Sequence, residues 1–560
     1  MLAGLLGLMV IAVAALLHSQ RFHDYALAKV QQSASQSLGV SVQLQNFALY
    51  FNGISPTVDM YGLVVNGTAP YANIPLLQVE HARIGVRIDS LLRKSWHLNE
   101  ITIHHAIAQI RIDQNGNNNL PAPKPSNSNQ GGMQALFDLA IHRAVLDQSD
   151  IYYNDRKNSL DADAREVTLN AGFDPLRKVY AGQLGYSDGH FKSAGYQPVP
   201  HALHAEFEMT PTHIDLRNAE LSSGSSAVCF SATLDDFNNP RVATVYHASV
   251  NATELRALLH NPELPQGTVQ LDGHAEYAFK ASQPPLNALT LNGTLRSTRL
   301  ELRSQGMQTE ARTIQATYSL ANGDAEISSL KAALLGGTLD ARATVKNLAG
   351  EQVGTAHLKT NGINLASLRQ MVSTAAANTI PGNVTLAGTL QATGDASWKG
   401  SLRNLTATAD AAISAETGST QSSSTVPLAG EIHAAFRNSD QRLTLRQSYL
   451  RTSLTSLTLD GTLPGTAHGE HSQMNLVLNA QDLHELETIA SIFHQSVQHL
   501  SLYGNAQFTG TLTGSTSEPR LAGDLTAANL HVRGTAWKLL RAHVDAGPSA
   551  VAIQVYRGGR

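Results

Sequence analysis

Residues 267–280 read "GTVQLDGHAEYAFK", and their alternation decides the fold class. Val269, Leu271, Ala275, Tyr277 and Phe279 fall on one parity, while Thr268, Gln270, Asp272, His274, Glu276 and Lys280 fall on the other. A strand sends successive side chains to opposite faces, so this pattern predicts a β-strand with one oily and one wet face. The same period of two appears in "GVSVQLQN" (Val40, Val42, Leu44), at Ile84, Val86 and Ile88, and at Ile101 and Ile103. It returns at Val384, Leu386 and Leu390, at Leu457, Leu459 and Leu463, and at Met474, Leu476 and Leu478. The fold class expected from these segments is mainly β.

Composition agrees. Charged residues make up 15% of the 560, against roughly a quarter in an ordinary soluble domain. Long charged helices are therefore a poor fit. The net charge of -4 supplies no basic field for a phosphate backbone, which argues against nucleic acid as a partner. Cys229 is the one cysteine, so neither an intramolecular disulfide nor a cysteine metal site is available.

Glycine marks another regularity. "GTL" opens at Gly293, Gly337, Gly388, Gly461 and Gly510, and Gly273, Gly388, Gly461 and Gly510 stand where the strand pattern would put the next apolar side chain. Glycine there permits a bend or a close approach of neighbouring backbone, so a sheet that curls at corresponding places is expected. "NATELRALL" at Asn251, "NGINLASLRQM" at Asn361 and "NAQDLHELETI" at Asn479 each place leucines at helical spacing (Leu255 and Leu258, Leu365 and Leu368, Leu483 and Leu486). Glu254, Asn364 and Asp482 stand near the helix starts, and each copy continues into glycines six apart: Gly267 and Gly273, Gly382 and Gly388, Gly504 and Gly510. A short helix followed by several strands, recurring three times, predicts stacked units sharing a sheet.

The N-terminus opens with Leu2–Leu17, sixteen residues without a polar side chain, about 24 Å as a helix. An uncleaved membrane anchor is the favoured reading and a signal peptide cut near Ala12–Ala14 the other; Arg21 and Lys29 follow the run. The helix is expected to continue to Gly39, a fitting C-terminal glycine. The domain reading is 1–38 anchor and helical extension, 39–120 a strand-rich unit, 121–132 a flexible linker, and 133–250 a β-rich continuation. Repeats follow at 251–360, 361–478 and 479–560.

Catalytic motifs are thin. "GYSDG" (185–189) matches the nucleophile-elbow pattern, but "HFKSAGYQPVP" after it is a poor helix. "DQNGNNN" from Asp113 lacks the bidentate Glu of a calcium loop, so a turn is expected. The 23 histidines, including His104, His105, His201 and His204, lie in strand-like segments without companion ligands at metal spacing, and are read as polar-face residues. No catalytic residue, metal site or cofactor is expected.

"GVSVQLQNFALYFNGISPTVDMYGLVV" (39–65), "PLLQVEHARIGVRIDSLLRKSWHLNEITIHHAIAQIRIDQNGNNNL" (75–120), "LAIHRAVLDQSDIYYNDRKNSLDADAREVTLNA" (139–171) and "GNAQFTGTLTGSTSEPRLAGDLTAANLHVRG" (504–534), with the anchor, resemble the AsmA family. The order of the pieces carries the likeness. That family consists of inner-membrane-anchored periplasmic proteins of Gram-negative bacteria. The resemblance implies a long antiparallel sheet curled into a groove with an apolar interior, related in design to bridge-like lipid transfer proteins. It also implies a single-pass inner-membrane location through residues 2–17, the bulk of the chain in the periplasm, phospholipid as the partner and a role in outer-membrane assembly. Candidate groove residues are Val269, Leu271, Tyr277, Phe279, Leu386, Leu390, Phe508 and Leu512. The rival reading is a β-rich envelope scaffold that carries no lipid.

Overall fold

The computed structural model describes residues 20–52, 55–87, 97–121, 132–193, 197–237, 239–262, 264–280, 283–304, 307–375, 385–415, 425–465, 473–487, 501–515, 519–547 and 550–559. The apolar run 2–17 and nearly all of the 121–132 segment lie outside them, as do Ile88, Gly382 and Val384. No described helix is long and apolar enough to cross a membrane.

The chain is mainly β. The described strands form a 27-stranded sheet that does not close and one small two-stranded parallel pair. Contacts divide the chain into two compact units: residues up to Val250 with 257–261 and 276–279, and residues 251–256 and 262–275 with 280 onward.

In the first unit, strands from Val42–Asn52 through Arg241–Asn251 pair with their sequence neighbours. All of these pairings are antiparallel except Leu98–Ile112 with Arg143–Asp155, which is parallel. A parallel joint needs a crossover, and helix α2 (Gly132–Leu139) lies on that connection. Phe137 of α2 packs with Leu98, Ile141 and Tyr180, whose hydroxyl donates to Leu136 O at 3.1 Å and accepts the Ile141 amide at 2.8 Å.

Helix α1 (Gln20–Leu38) precedes these strands and stops at Gly39, which takes φ 71°. It dresses the strand Val42–Asn52. Gln31 donates to Leu44 O at 2.8 Å, Ser35 Oγ accepts the Val42 amide at 2.9 Å, and His23 stacks on Phe47 at 4.5 Å. Side chains thus satisfy backbone groups of the strand that would otherwise offer themselves to another chain.

The second unit shows the repeat as helix plus strands. Helix α3 (Ala252–Leu258) is followed by six long strands, 266–278, 289–304, 307–321, 324–334, 337–346 and 353–364. Helix α4 (Leu365–Ala375) is again followed by six, 389–399, 406–414, 429–437, 442–451, 455–463 and 474–480. The third copy restarts with a helical turn at Leu483 and strands 503–514, 519–532, 535–546 and 551–559. The caps are Asn251, Asn364 and Asp482, whose side chains accept the amides of Thr253, Ser367 and His484 at 2.9, 3.0 and 2.9 Å. The first helix consequently begins three residues earlier than the leucine spacing places it. Ala252 is buried where Leu365 and Leu483 are, and Leu255 is exposed.

Bulges interrupt the alternation in both units. His105, Gln148, Glu166, Thr313 and Gln447 sit inside strands with positive φ, and the ladder slips between Leu146 and Ser149 and between Leu445 and Ser448. Each slip adds one residue to its strand, so the apolar parity flips while the face stays oily. Ser149 and Ser448 repair the damage identically. Their hydroxyls accept the Ala106 and His433 amides, both at 3.0 Å, and donate to Asp147 O and Arg446 O at 2.9 and 3.2 Å. Both serines are about 2% exposed.

Candidate functional site: the apolar sheet face

Directly opposed residues share a face, so the ladder register maps what the second unit presents on each side. One line of partners runs Ile363, Leu390, Ile413, Gly430, Leu450, Leu457, Leu478, Phe508, Leu525, Ala542, Val555. Eleven strands contribute to it, and no polar side chain intervenes. Farther along the strands on the same face, as from Leu390 to Ala396, runs Tyr318, Ile327, Ala343, Ala356, Ala396, Ala407, Phe436, Leu443, Leu463. Between these lines lies a third, from Leu330 through Ala341, Leu358, Gly394, Ala409, Ala434 and Leu445 to Gly461, Met474, Leu512 and Leu521.

The opposite face is polar and pinned by directly opposed pairs. His357 meets Asp395 at 2.8 Å, His433 meets Asp410 at 2.6 Å and His543 meets Asp524 at 2.9 Å. Thr344 bonds Thr355 and Ser397 bonds Thr406. These histidines are cross-strand partners, and among the described residues no group of three or more His, Cys, Asp or Glu could hold a metal.

Burial along the apolar face is uneven. Helix α4 packs against the strand Met307–Ala321. The turn at Leu483 joins Ala480, Ala506, Ala527 and Leu530 in a cluster that also takes in Leu486, Leu502 and Leu525. Farther along the strands the face is open: Ile327, Leu358 and Phe436 are 37, 41 and 36% exposed. Alanine predominates between them. A cleft of about 480 Å³ crosses these strands, lined by the polar-face residues Arg342, Thr344, Thr355, His357, Asp395 and Thr406, with Ala343, Ala356, Ala396 and Ala407 between them in the chain.

Three aromatic rings lie on glycines of the paired strand. Tyr318 stands opposite Gly293 and Trp398 opposite Gly354, each so close that a side chain on the glycine would collide with the ring. Phe508 covers Gly510 and Gly523, where a Cβ would stand 2.6 and 2.8 Å from its Cζ. Glycine here makes room for a flat ring on the sheet.

The eight residues singled out from sequence are distributed as follows. Val269 packs beside Leu300, Ala311, Ile314 and Ala332; Leu271 and Tyr277 are half-buried on the same strand. Phe279 departs from its expected direction: it lies one residue past the end of the strand Gln266–Ala278, its amide donates to Pro240 O at 2.9 Å, and its ring is 46% exposed. Leu386 also departs, because it belongs to the short parallel pair 385–387 with 425–427, opposite Val426. Leu390, Phe508 and Leu512 lie on the apolar lines, with Phe508 6% exposed.

The motif readings resolve locally. Ser187 is in the middle of the strand Val179–Ser193 rather than at a strand-to-helix turn, and donates to Glu166. The Asp113 carboxylate accepts the Asn115 and Asn117 amides and the Asn117 side chain, which hold it below the usual carboxylate range and close the turn on itself. His201 Nδ1 pairs with Tyr186 OH at 2.9 Å, and burial pushes that imidazole down. In the first unit Asp59, 5% exposed, receives Arg83 Nε at 2.9 Å and Nη2 at 3.2 Å, with Tyr50 OH and His81 nearby. The Arg83 hydrogen bonds hold its carboxyl below the ordinary value.

Comparison with protein-family models, curated proteins and solved structures finds no match to this chain.

Proposed function

We propose that this protein is an AsmA-like lipid-shielding protein, tethered to the bacterial inner membrane by residues 2–17 and holding phospholipid acyl chains against the apolar sheet face in the periplasm. The observation that carries the reading is the unbroken apolar line from Ile363 to Val555, bordered by large side chains left exposed at Ile327, Leu358 and Phe436. Ile363, Ile413, Phe508 and Ala542 on that line are covered, and large side chains left partly exposed beside them call for a partner. Hydrocarbon meets the need at about 0.8 kcal/mol per methylene removed from water. The elongated, curled groove, the repeats along it and the helices over its ends belong to the same proposal. No covalent step is involved; shielding is solvation.

Val269, Leu271, Tyr277, Leu390 and Leu512 remain proposed contacts, whereas Phe508 serves the groove by lining it from beneath, flat on its glycines. The scaffold reading differs in one measurable respect. Lipid extracted from the purified full-length protein and quantified by mass spectrometry is expected in stoichiometric amount, and its absence from folded protein favours the scaffold.

A further inference from the structure

We infer that the hairpin end at Leu49–Phe51 enters the periplasmic surface of the inner membrane beside the anchor, giving the protein a second contact with the bilayer. This rests on the reading of residues 2–17 as a membrane anchor and deepens it. Helix α1 runs antiparallel to the strand Val42–Asn52, and three side-chain contacts fix the alignment. Ser35 lies level with Val42, Gln31 with Leu44 and His23 with Phe47, through hydrogen bonds of 2.9, 2.8 and 2.9 Å. From Ser35 to His23 the helix advances about 18 Å, and from Val42 to Phe47 the strand advances about 17 Å, so the two travel side by side. The same rises set the heights beyond His23. With the helix continued to Leu17, as the sequence predicts, that last residue of the apolar run stands about 9 Å past His23. The strand stays paired out to Asn52 with Ser55, which puts Phe51 about 13 Å past Phe47. Phe51 therefore passes the level of Leu17 by about 4 Å, while Leu49 stops about 2 Å short of it.

The chemistry of the hairpin end fits that depth. Phe51 is 61% and Leu49 44% exposed, and their partners across the hairpin are Pro56 and Val58. Hairpin ends that face water ordinarily carry polar turn residues, whereas this one presents two large apolar side chains. Tyr50, on the opposite parity, donates to Asp59 and lies under Arg83, so it stays with the sheet. Arg21 is exposed on α1 about 6 Å above Leu17, within the headgroup layer that adds about 5–7 Å to each side of the hydrocarbon. The sixteen-residue run covers about 24 Å of an apolar core near ~30 Å, so the polypeptide beside it is drawn toward the bilayer rather than held off it. Lipid is the occupant because the anchor already sets a bilayer surface at this level.

The test uses the full-length protein in vesicles of phosphatidylethanolamine and phosphatidylglycerol. A Cys229→Ser background carries one nitroxide label through Phe51→Cys, Leu49→Cys or Leu120→Cys. Leu120, 45% exposed, is the control: it belongs to the opposite end of the sheet, where Asn119 O accepts the Thr68 amide just past the strand Ser55–Asn66. Depth is read from collisions of the label with oxygen, which concentrates in hydrocarbon, and with a water-soluble nickel chelate. The label at 51 is expected about 6–7 Å deeper than that at 49, two strand residues away, and the label at 120 in water. If Phe51→Cys does not fold, Leu49→Cys decides by itself, with a label expected at the hydrocarbon boundary. Aqueous readings at both 49 and 51 in protein that resists carbonate extraction overturn the insertion and leave the anchor intact. Release of the protein by carbonate overturns the anchor and this inference together. A label at 51 shielded from oxygen and nickel alike shows a polypeptide over the hairpin end and also overturns the proposal.

Discussion

The ring of Phe508 lies over Gly523, two strand neighbours joined through the pairing of Gly510 with Gly523. Either glycine, given a side chain, would strike the ring, and without the ring both would expose bare backbone on the apolar face. Phe508→Ala is expected to destabilise the second unit by about 3–5 kcal/mol, the range for removing a buried aromatic ring. Gly523→Val is expected to do at least comparable damage, because a Cβ there would strike Gly510 Cα and Thr509 O as well as standing 2.8 Å from the ring, and the double variant is expected to be less than fully additive. Denaturant unfolding monitored by tryptophan fluorescence checks both; full additivity would show that the ring and the glycine are independent.

Ser448 carries a second expectation. Removing its hydroxyl strands the His433 amide beside the bulge at Gln447, at a cost of about 1–3 kcal/mol for an unsatisfied buried donor. Hydrogen exchange at His433 is expected to accelerate in Ser448→Ala. Ser149→Ala should do the same to Ala106 in the first unit, and unchanged protection at either amide would remove the serine from its assigned role.

Acid sensitivity follows from Asp59. Its folded value is depressed by Arg83, so the folded chain binds fewer protons there than the unfolded chain does. The stability this supplies is present above the unfolded carboxyl value near ~3.9 and disappears as pH falls through the lower folded value. Asp59→Asn is therefore expected to lower the stability of the first unit at neutral pH and to flatten its acid unfolding limb. An unaltered slope below pH ~4 would assign the acid transition to other groups.

The strands were legible because one face needs oil and the other water, and Val40, Val42 and Leu44 are buried while Ser41, Gln43 and Gln45 are exposed. The close-approach role of glycine was legible too, at Gly510 above all. Hidden in the alternation were the bulges, where an apolar pair spaced by three, such as Ile327 and Leu330, marks the extra residue. A strict period of two passes over that signal. The "QS" of Gln148–Ser149 and Gln447–Ser448 repeats the same local solution, and two residues were too few to notice. Phe279 misled because the strand ends at Ala278, so its parity no longer fixes a direction. The run of alanines Ala343, Ala356, Ala396 and Ala407 was hidden because propensity ranks alanine low in strands, and only cross-strand register brings the four together.

The most direct measurement is lipid per protein in parallel full-length preparations of wild type and Leu358→Asp, extracted in the same detergent and counted by mass spectrometry. Leu358 is 41% exposed, so aspartate there is expected to cost the fold only about 1 kcal/mol while placing charge against the acyl chain. Stoichiometric phospholipid in wild type, lost in folded Leu358→Asp, is the predicted result. Equal lipid in both, or none in wild type, contradicts the account.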